Sequence, residues 1–374
     1  MSVPEEYTPG LEDEDNDGRF NRRSFLYGVA GAAALGLGLR VPDAYASSSG
    51  APKGVKLTGL YRDLNEENFF RINDGVQEGA RLFAHKSAQP LIYHNLSTTE
   101  QAVIQGALAS LPAGWKLALN AWDNTEESAL TIAHLLKNKG YFVTQWNKPA
   151  HVFPWQVGPQ WVAHIQFDSY AAETQLFEQV AKQLNGKGGY CYVQGLMTTT
   201  NAQQHWLGVQ AALKKYPGIK LLDVQPGNWD RTTAFNLAQT WLTRYGSKVN
   251  AICSANDEMS LGILQAVRAA GRSGQIAITG GDGVHEAVAA VKSGDFTATV
   301  QFDSYWQGVV GMAIAYKAAT GKINPHKLSH RQRAFNGPFY IVTKANADKY
   351  LQKPSPNNYN FHNLWALARS QVTT

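Results

Sequence analysis

From residue 55 to residue 300 the chain alternates short apolar runs with amphipathic stretches, and halfway along the alternation starts again. Strands are predicted over 55–61, 91–95, 116–121, 141–145 and 162–167, with helices over 69–83, 99–108, 126–137 and 171–183. The second cycle has strands over 189–193, 220–224, 251–254, 276–279 and 297–300, and helices over 202–215, 232–244, 259–270 and 286–293. Strands separated by helices require parallel sheets covered on both faces, because a parallel crossover needs a helix to carry the chain back. The expected fold is therefore α/β, with two similar doubly wound parallel-sheet lobes. A further strand over 339–342, after the last long helix, predicts that the chain recrosses between them.

The N-terminal segment stands apart from this pattern. Asn21-Arg22-Arg23-Ser24-Phe25-Leu26 precedes a glycine-rich apolar run and then Ala44-Tyr45-Ala46. Twin arginines, an apolar stretch and an A-x-A site in that order read as a twin-arginine export signal over 1–46, with export to the periplasm. Without that segment, which holds four Arg and eight Asp or Glu, 328 residues remain, with 30 basic and 21 acidic side chains. The length exceeds one comfortable core and suits two domains. The basic residues are scattered, with no stripe of the kind that binds nucleic acid. No other segment is long and apolar enough to cross a bilayer, so no stable membrane insertion is expected after cleavage. Cys191 and Cys253 both fall in apolar runs predicted as neighbouring strands of the second sheet. An oxidising compartment permits a bridge, but buried free thiols are the expected state.

Parallel α/β sheets bind ligands at the carboxyl ends of their strands. Glu67-Asn68-Phe69-Phe70 follows the first strand, and the second half offers Asn228-Trp229-Asp230, Ser254-Ala255-Asn256-Asp257 and Gly280-Gly281-Asp282-Gly283. Asp257, rather than Asn256, is the expected cap of the helix that follows. The chain has no G-x-S-x-G, no H-E-x-x-H and no P-loop, and its ten histidines have no metal-ligand spacing. No enzyme, no cofactor and no metal site is expected.

Asn256-Asp257-Glu258-Met259 with Gly262, the Gly280–Gly283 turn, Ala298-Thr299-Val300 with Gly308, and Asn68-Phe69-Phe70 with Asp74-Gly75 occur in a recognisable order. They resemble the type I periplasmic binding proteins of the ribose/galactose group, over about residues 54–343, most closely from 186 to 322. The resemblance implies a three-crossing hinge. It assigns 54–167 and 303–328 to the first lobe, 168–302 and 329–343 to the second, and leaves 344–374 as an irregular tail. It further implies a monomer that captures a sugar, polyol or sugar derivative for an ABC transporter permease; a periplasmic sensor or chemoreceptor is the alternative partner.

In such a site aromatic side chains cover the faces of a ring, while carboxylates and amides take its hydroxyls. By resemblance Phe69, Phe70 and Trp229 form the walls, Asn256 and Asp282 hold hydroxyls from the second lobe, and Glu67 does so from the first. Departures from the family fall at Trp146-Asn147, where ribose binders carry Asp-Arg, and at His205, where an Arg is usual. Another falls at Phe302, with Gln301 beside it, where a hinge Gln is common. Charged clamps are thus replaced, and the cleft is expected to be more aromatic than a ribose site. The segment 151–161, with Pro154, Trp155 and Trp161, is expected either to line the cleft or to strap the domains.

Overall fold

The computed structural model describes residues 53–62, 64–92, 100–122, 126–137, 139–146 and 151–372. The export signal read over 1–46 lies outside them.

Five strands of the first lobe follow one another with helices between: β1 (Gly54–Tyr61), α1 (Glu67–Ala84), β2 (Gln89–Ile92), α2 (Glu100–Ala109), β3 (Trp115–Trp122), α3 (Glu126–Leu136), β4 (Phe142–Trp146), α4 (Pro154–Val157) and β5 (Trp161–Gln166). The chain then builds the second lobe from α5 (Ser169–Gln183), β6 (Gly188–Gln194), α6 (Thr200–Lys215), β7 (Ile219–Pro226), α7 (Arg231–Tyr245), β8 (Val249–Ser254), α8 (Asp257–Ala269), β9 (Thr279–Gly281), α9 (His285–Ser293) and β10 (Ala298–Phe302). It recrosses through α10 (Ser304–Ala319), α11 (His330–Arg333) and β11 (Ala334–Asn336), crosses again to β12 (Phe339–Val342) and α12 (Ala347–Tyr350), and ends in β13 (Ser370–Gln371).

The first sheet has the order β13-β11-β5-β4-β3-β1-β2, parallel except for β13. In the second lobe β7-β6-β8 and β9-β10-β12 are joined where Ala277 runs beside Ala251. There the Ile252 N–H donates to Ala277 O at 3.0 Å and the Ala277 N–H to Asn250 O at 2.9 Å. The predicted strand over 276–279 is thus present as this short bridge leading into β9. The two lobes share the doubly wound parallel design anticipated above, and each has its own core.

Helix α10 shows why the recrossing segment belongs to the first lobe. Fourteen of its sixteen residues are buried, so it is sheathed by protein on all sides and packs against α1. That packing brings backbones together: a Cβ on Gly75 would stand 2.0 Å from Tyr305 O, and one on Gly308 would stand 2.2 Å from Ile72 O. Only glycine permits that approach. The apolar side of α1, with Phe69, Ile72, Val76 and Ala80 buried, follows helical spacing.

Two boundaries differ from the expected ones. Residues 334–336 pair in parallel with β5, so the first lobe's returning segment runs to Asn336 rather than 328, and the crossing lies at Gly337-Pro338. The strand is three residues long, too short for its own periodicity to announce it. The tail is not merely irregular either. Helix α12 packs on α9, whereas β13 pairs antiparallel with β11 in the first sheet, so the chain crosses the hinge a fourth time. On the way the Tyr359 hydroxyl meets both Asp303 carboxylate oxygens at 2.9 Å, and Arg369 donates to Phe339 O at 2.6 Å.

The segment 151–161 does not line the cleft. Its carbonyls at Pro154, Gly158 and Trp161, with that of Val162, accept from the buried Arg333 guanidinium at 2.6–3.2 Å. Trp155 stacks between Phe153 and His330. The segment is clamped to α11 of its own lobe. Cys191 and Cys253 are free and buried, on paired strands β6 and β8. In register Cys191 meets Ile252 and Cys253 meets Tyr192. That offset of one residue points the thiols to opposite faces of the sheet. Burial pushes both up to about 12.

Candidate functional site

The carboxyl ends of the two parallel sheets face one another across a cavity of about 120 Å³. On the first lobe, strand ends deliver an aromatic wall. Trp122 closes β3, Trp146 closes β4, and Phe69 lies in the first turn of α1. Their ring centroids are 5.2 Å (Phe69–Trp122), 5.8 Å (Phe69–Trp146) and 6.1 Å (Trp122–Trp146) apart. Arg62, directly after β1, lies 5.3 Å from the Phe69 ring and 5.8 Å from that of Trp122, and pairs with Glu66. Such cation–π contacts hold the guanidinium against the wall.

On the second lobe the corresponding wall is Trp229. Asn228 and Trp229 take left-handed backbone angles (φ 54° and 66°), a conformation that L-residues with a bulky side chain seldom adopt. It lays the indole on Gly195, where a Cβ would stand 2.2 Å from the ring. Asn256 is the cap of α8: its Oδ1 accepts from the Met259 N–H at 3.1 Å. This corrects the expected cap, Asp257, and turns the Asn256 Nδ2, a donor, to other use. Asp257 is instead sealed inside the lobe, accepting from Thr299 Oγ1 at 2.6 Å and from the Val284 N–H at 2.9 Å. Burial raises its carboxyl to about 7.

Asp282 sits at φ 108° among glycines and lines the cavity. Strain of this kind at a non-glycine residue concentrates at functional sites. Desolvation pushes its carboxyl well above the ordinary range, and the charges of Asp257 and Glu258 add to the effect. His205 is almost wholly buried, with Nδ1 2.8 Å from Glu173 Oε2 and its ring edge-on to Phe302. At the hinge Phe167 stacks on Phe302 at 4.9 Å. Ser304 Oγ donates to Asn68 Oδ1 at 2.6 Å, and Gln307 Nε2 donates to Ile165 O at 2.8 Å.

Of the residues named from the sequence, Phe69, Trp146, His205, Trp229, Asn256, Asp282 and Phe302 line one cavity. Glu67 does not. Its two carboxylate oxygens accept from the His285 N–H at 2.9 and 2.8 Å, and one of them pairs with Arg71 at 2.7 Å. The Arg71 Nη1 in turn donates to Gly283 O at 2.6 Å and to Gln301 Oε1 at 3.2 Å. Glu67 is thus a latch from the first lobe to the N-terminus of α9, where the helix end favours an anion. Phe70 is half exposed and points away from the cavity; one helical step from Phe69 turns it by about 100°. Asn147 lies outside the described residues.

Sequence reasoning missed Arg62, Trp122, Asn201 and Gln307. Arg62 and Trp122 stand at strand carboxyl ends and were findable by the rule that found Trp229. Asn201 and Gln307 lie inside helices whose approach to the cleft depends on lobe packing.

Residues 63–323 match the family described as the periplasmic binding protein domain. The chain is 34% identical over 197 residues to the xylitol-binding protein of Mycolicibacterium smegmatis, covering 52% of this chain and 53% of that protein. It therefore spans about half the length of that relative. It is 29% identical over 288 residues to the D-ribose/D-allose-binding protein of Pseudomonas aeruginosa, covering 74% of this chain and 86% of that one. A crystal structure of a twin-arginine translocation pathway signal protein from Burkholderia phytofirmans superposes with TM-score 0.79 at 31% identity, over 87% of this chain and 99% of the other. Two doubly wound lobes, a multi-crossing hinge and a match over residues 63–323 give one conclusion: this chain belongs to the periplasmic binding protein family, in its type I form.

Proposed function

We propose that the protein captures a small polyhydroxylated ligand, a sugar or polyol, in the inter-lobe cleft and delivers it to an ABC transporter. The observation that carries this reading is the composition of the two walls. The Phe69–Trp122–Trp146 cluster supplies π faces from one lobe and Trp229 from the other. Between them lie the Asn256 amide, the Asp282 carboxyl and the His205 imidazole. A polyol offers C–H faces to the rings and hydroxyls that both donate and accept. The relatives named for xylitol, ribose and allose belong to the same ligand class.

The test is thermal-shift screening of the mature protein against xylitol, ribose, allose and myo-inositol. A ligand that binds the native state raises the melting point by mass action once it exceeds its Kd. The reading predicts a concentration-dependent rise for at least one of them; no shift with any at millimolar concentration would remove it.

Export through the twin-arginine route belongs to the same proposal. It rests on Arg22-Arg23 with Ala44-Tyr45-Ala46, and the B. phytofirmans relative is named for that pathway. Replacing both arginines with lysine should hold the protein in the cytoplasm on cell fractionation, and unchanged export would count against the route.

A further inference from the structure

Glu173 is buried to 1% exposure, with the hydroxyl of the buried Tyr192 close enough to feel its charge. Its hydrogen-bond partner is His205, also 1% exposed, and among the described residues no Lys or Arg pairs with it. The pair is built by close helix packing. A Cβ on Gly208 would stand 2.7 Å from Tyr170 O and 2.9 Å from Glu173 Cβ, so glycine lets α6 settle on α5 and brings His205 onto Glu173. Burying a carboxylate costs several kcal/mol of desolvation unless it is held in good geometry. The geometry that holds it is the contact with His205.

Nδ1 faces Glu173 Oε2 at 2.8 Å, and an ionised carboxylate only accepts, so a Glu173 carboxylate places the ring proton on Nδ1. Nε2 has no protein partner among the described residues, on a ring that lines the cleft. We infer that Glu173 is a positioning residue that fixes His205 in the Nδ1–H tautomer, so that Nε2 meets the ligand as a hydrogen-bond acceptor and selects a hydroxyl there.

The consequence concerns ligand class, and it rests on the reading of the cleft as a sugar or polyol site. A hydroxyl donates to Nε2. A ring oxygen has only lone pairs and would face the Nε2 lone pair without a proton between them. The neighbouring amides of Asn68, Asn201 and Asn256 each already accept one bond at oxygen, from Ser304, Ser169 and Met259, which leaves their N–H groups as unused donors. An acceptor at His205 therefore complements them. Ligands with a hydroxyl on every carbon, alditols and cyclitols, suit this contact better than cyclic aldoses.

The experiment has two arms. First, long-range ¹H–¹⁵N NMR of the ¹⁵N-histidine-labelled apo protein at pH 7.5 reads the ring state, with His205→Gln identifying the signal. Nδ1 protonated and Nε2 bare supports the assignment; a proton on Nε2, alone or with one on Nδ1, overturns it. Glu173→Leu should release the tautomer and Glu173→Gln, whose amide oxygen still accepts, should restore it. If the leucine variant does not fold, the wild-type spectrum and the glutamine variant still decide. Second, calorimetry compares xylitol with D-xylose, its cyclic relative. The wild type should favour xylitol, and His205→Arg, a donor-only side chain, should cut that ratio at least tenfold. An unchanged ratio overturns the selectivity. Binding of neither also overturns the selectivity, while the ring state in the first arm still tests the role of Glu173 and the thermal-shift panel tests the functional reading separately.

Discussion

The carboxyl of Asp257 is sealed beneath the cleft, where the Thr299 hydroxyl and the Val284 N–H donate to it, and its pKa is raised to about 7 by burial. In the unfolded chain the same group titrates near 3.8. Between those values the native state holds a proton that the unfolded state has lost, so stability falls as pH rises through that window. Asparagine mimics the protonated form: its oxygen accepts from Val284 and its amide donates to Thr299 Oγ1, which turns toward Gly280 O, already 3.3 Å away. Asp257→Asn is expected to flatten the decline in melting temperature between pH 5 and pH 8 relative to wild type, measured by calorimetry; an equal decline in both would show that Asp257 is not its source. Asp282 and Trp229 belong to the proposed site itself. Losing a hydroxyl's partner costs roughly 1–3 kcal/mol, and 1.4 kcal/mol is about tenfold in Kd. Asp282→Ala and Trp229→Ala should each weaken binding of a confirmed ligand by about tenfold or more with the apo melting point little changed. Unaltered affinity in both would place the site elsewhere.

At the scale of elements, α1 does two jobs on two sides. Phe69 faces the cleft, while Glu67 and Arg71, one turn apart, reach the second lobe at His285, Gly283 and Gln301. Arg71 grips the carbonyl next to Asp282, so the latch and the cleft share one glycine-rich turn. A ligand that needs both lobes gains affinity from whatever favours their approach. Arg71→Ala removes the contacts to Gly283 and Gln301 while leaving Glu67 on the His285 N–H, and should weaken binding roughly fivefold, the equivalent of about 1 kcal/mol of a partly exposed charged contact. Calorimetry on a ligand confirmed for the wild type checks this; identical affinity would mean the contact is incidental. The helices and strands of both lobes were legible in the sequence because each repeats its apolar spacing over several turns or residues. Helix α4, β11, β13 and α12, with two to four residues each, were not, because their order comes from contacts such as the Arg333 clamp.

The described residues form two lobes pinned at a hinge that they cross four times, the last with the tail. Tyr359 holds Asp303 at the head of α10, and Arg369 holds the carbonyl of Phe339 at the head of β12. Hinge closure requires these crossing points to turn while each lobe stays rigid. Small-angle scattering should show a smaller radius of gyration when a confirmed ligand is added; an equal radius with and without ligand would argue against a hinge that responds to it.

Strand–helix alternation, restarting at its midpoint, determined the two-lobe α/β fold, because parallel strands cannot be joined without crossovers and the period of the apolar residues reports each element. It also determined which turns stand at strand ends, and with them Trp229, Asn256 and Asp282. Only the tertiary structure decided which neighbour in a pair faces the cleft and which faces the other lobe. Glu67 stands two positions before Phe69 and Phe70 one after it, and the direction of a helical side chain depends on what packs against the helix. The buried partner of His205 was likewise out of reach: Glu173 lies thirty-two residues earlier and meets it only because Gly208 lets two helices close.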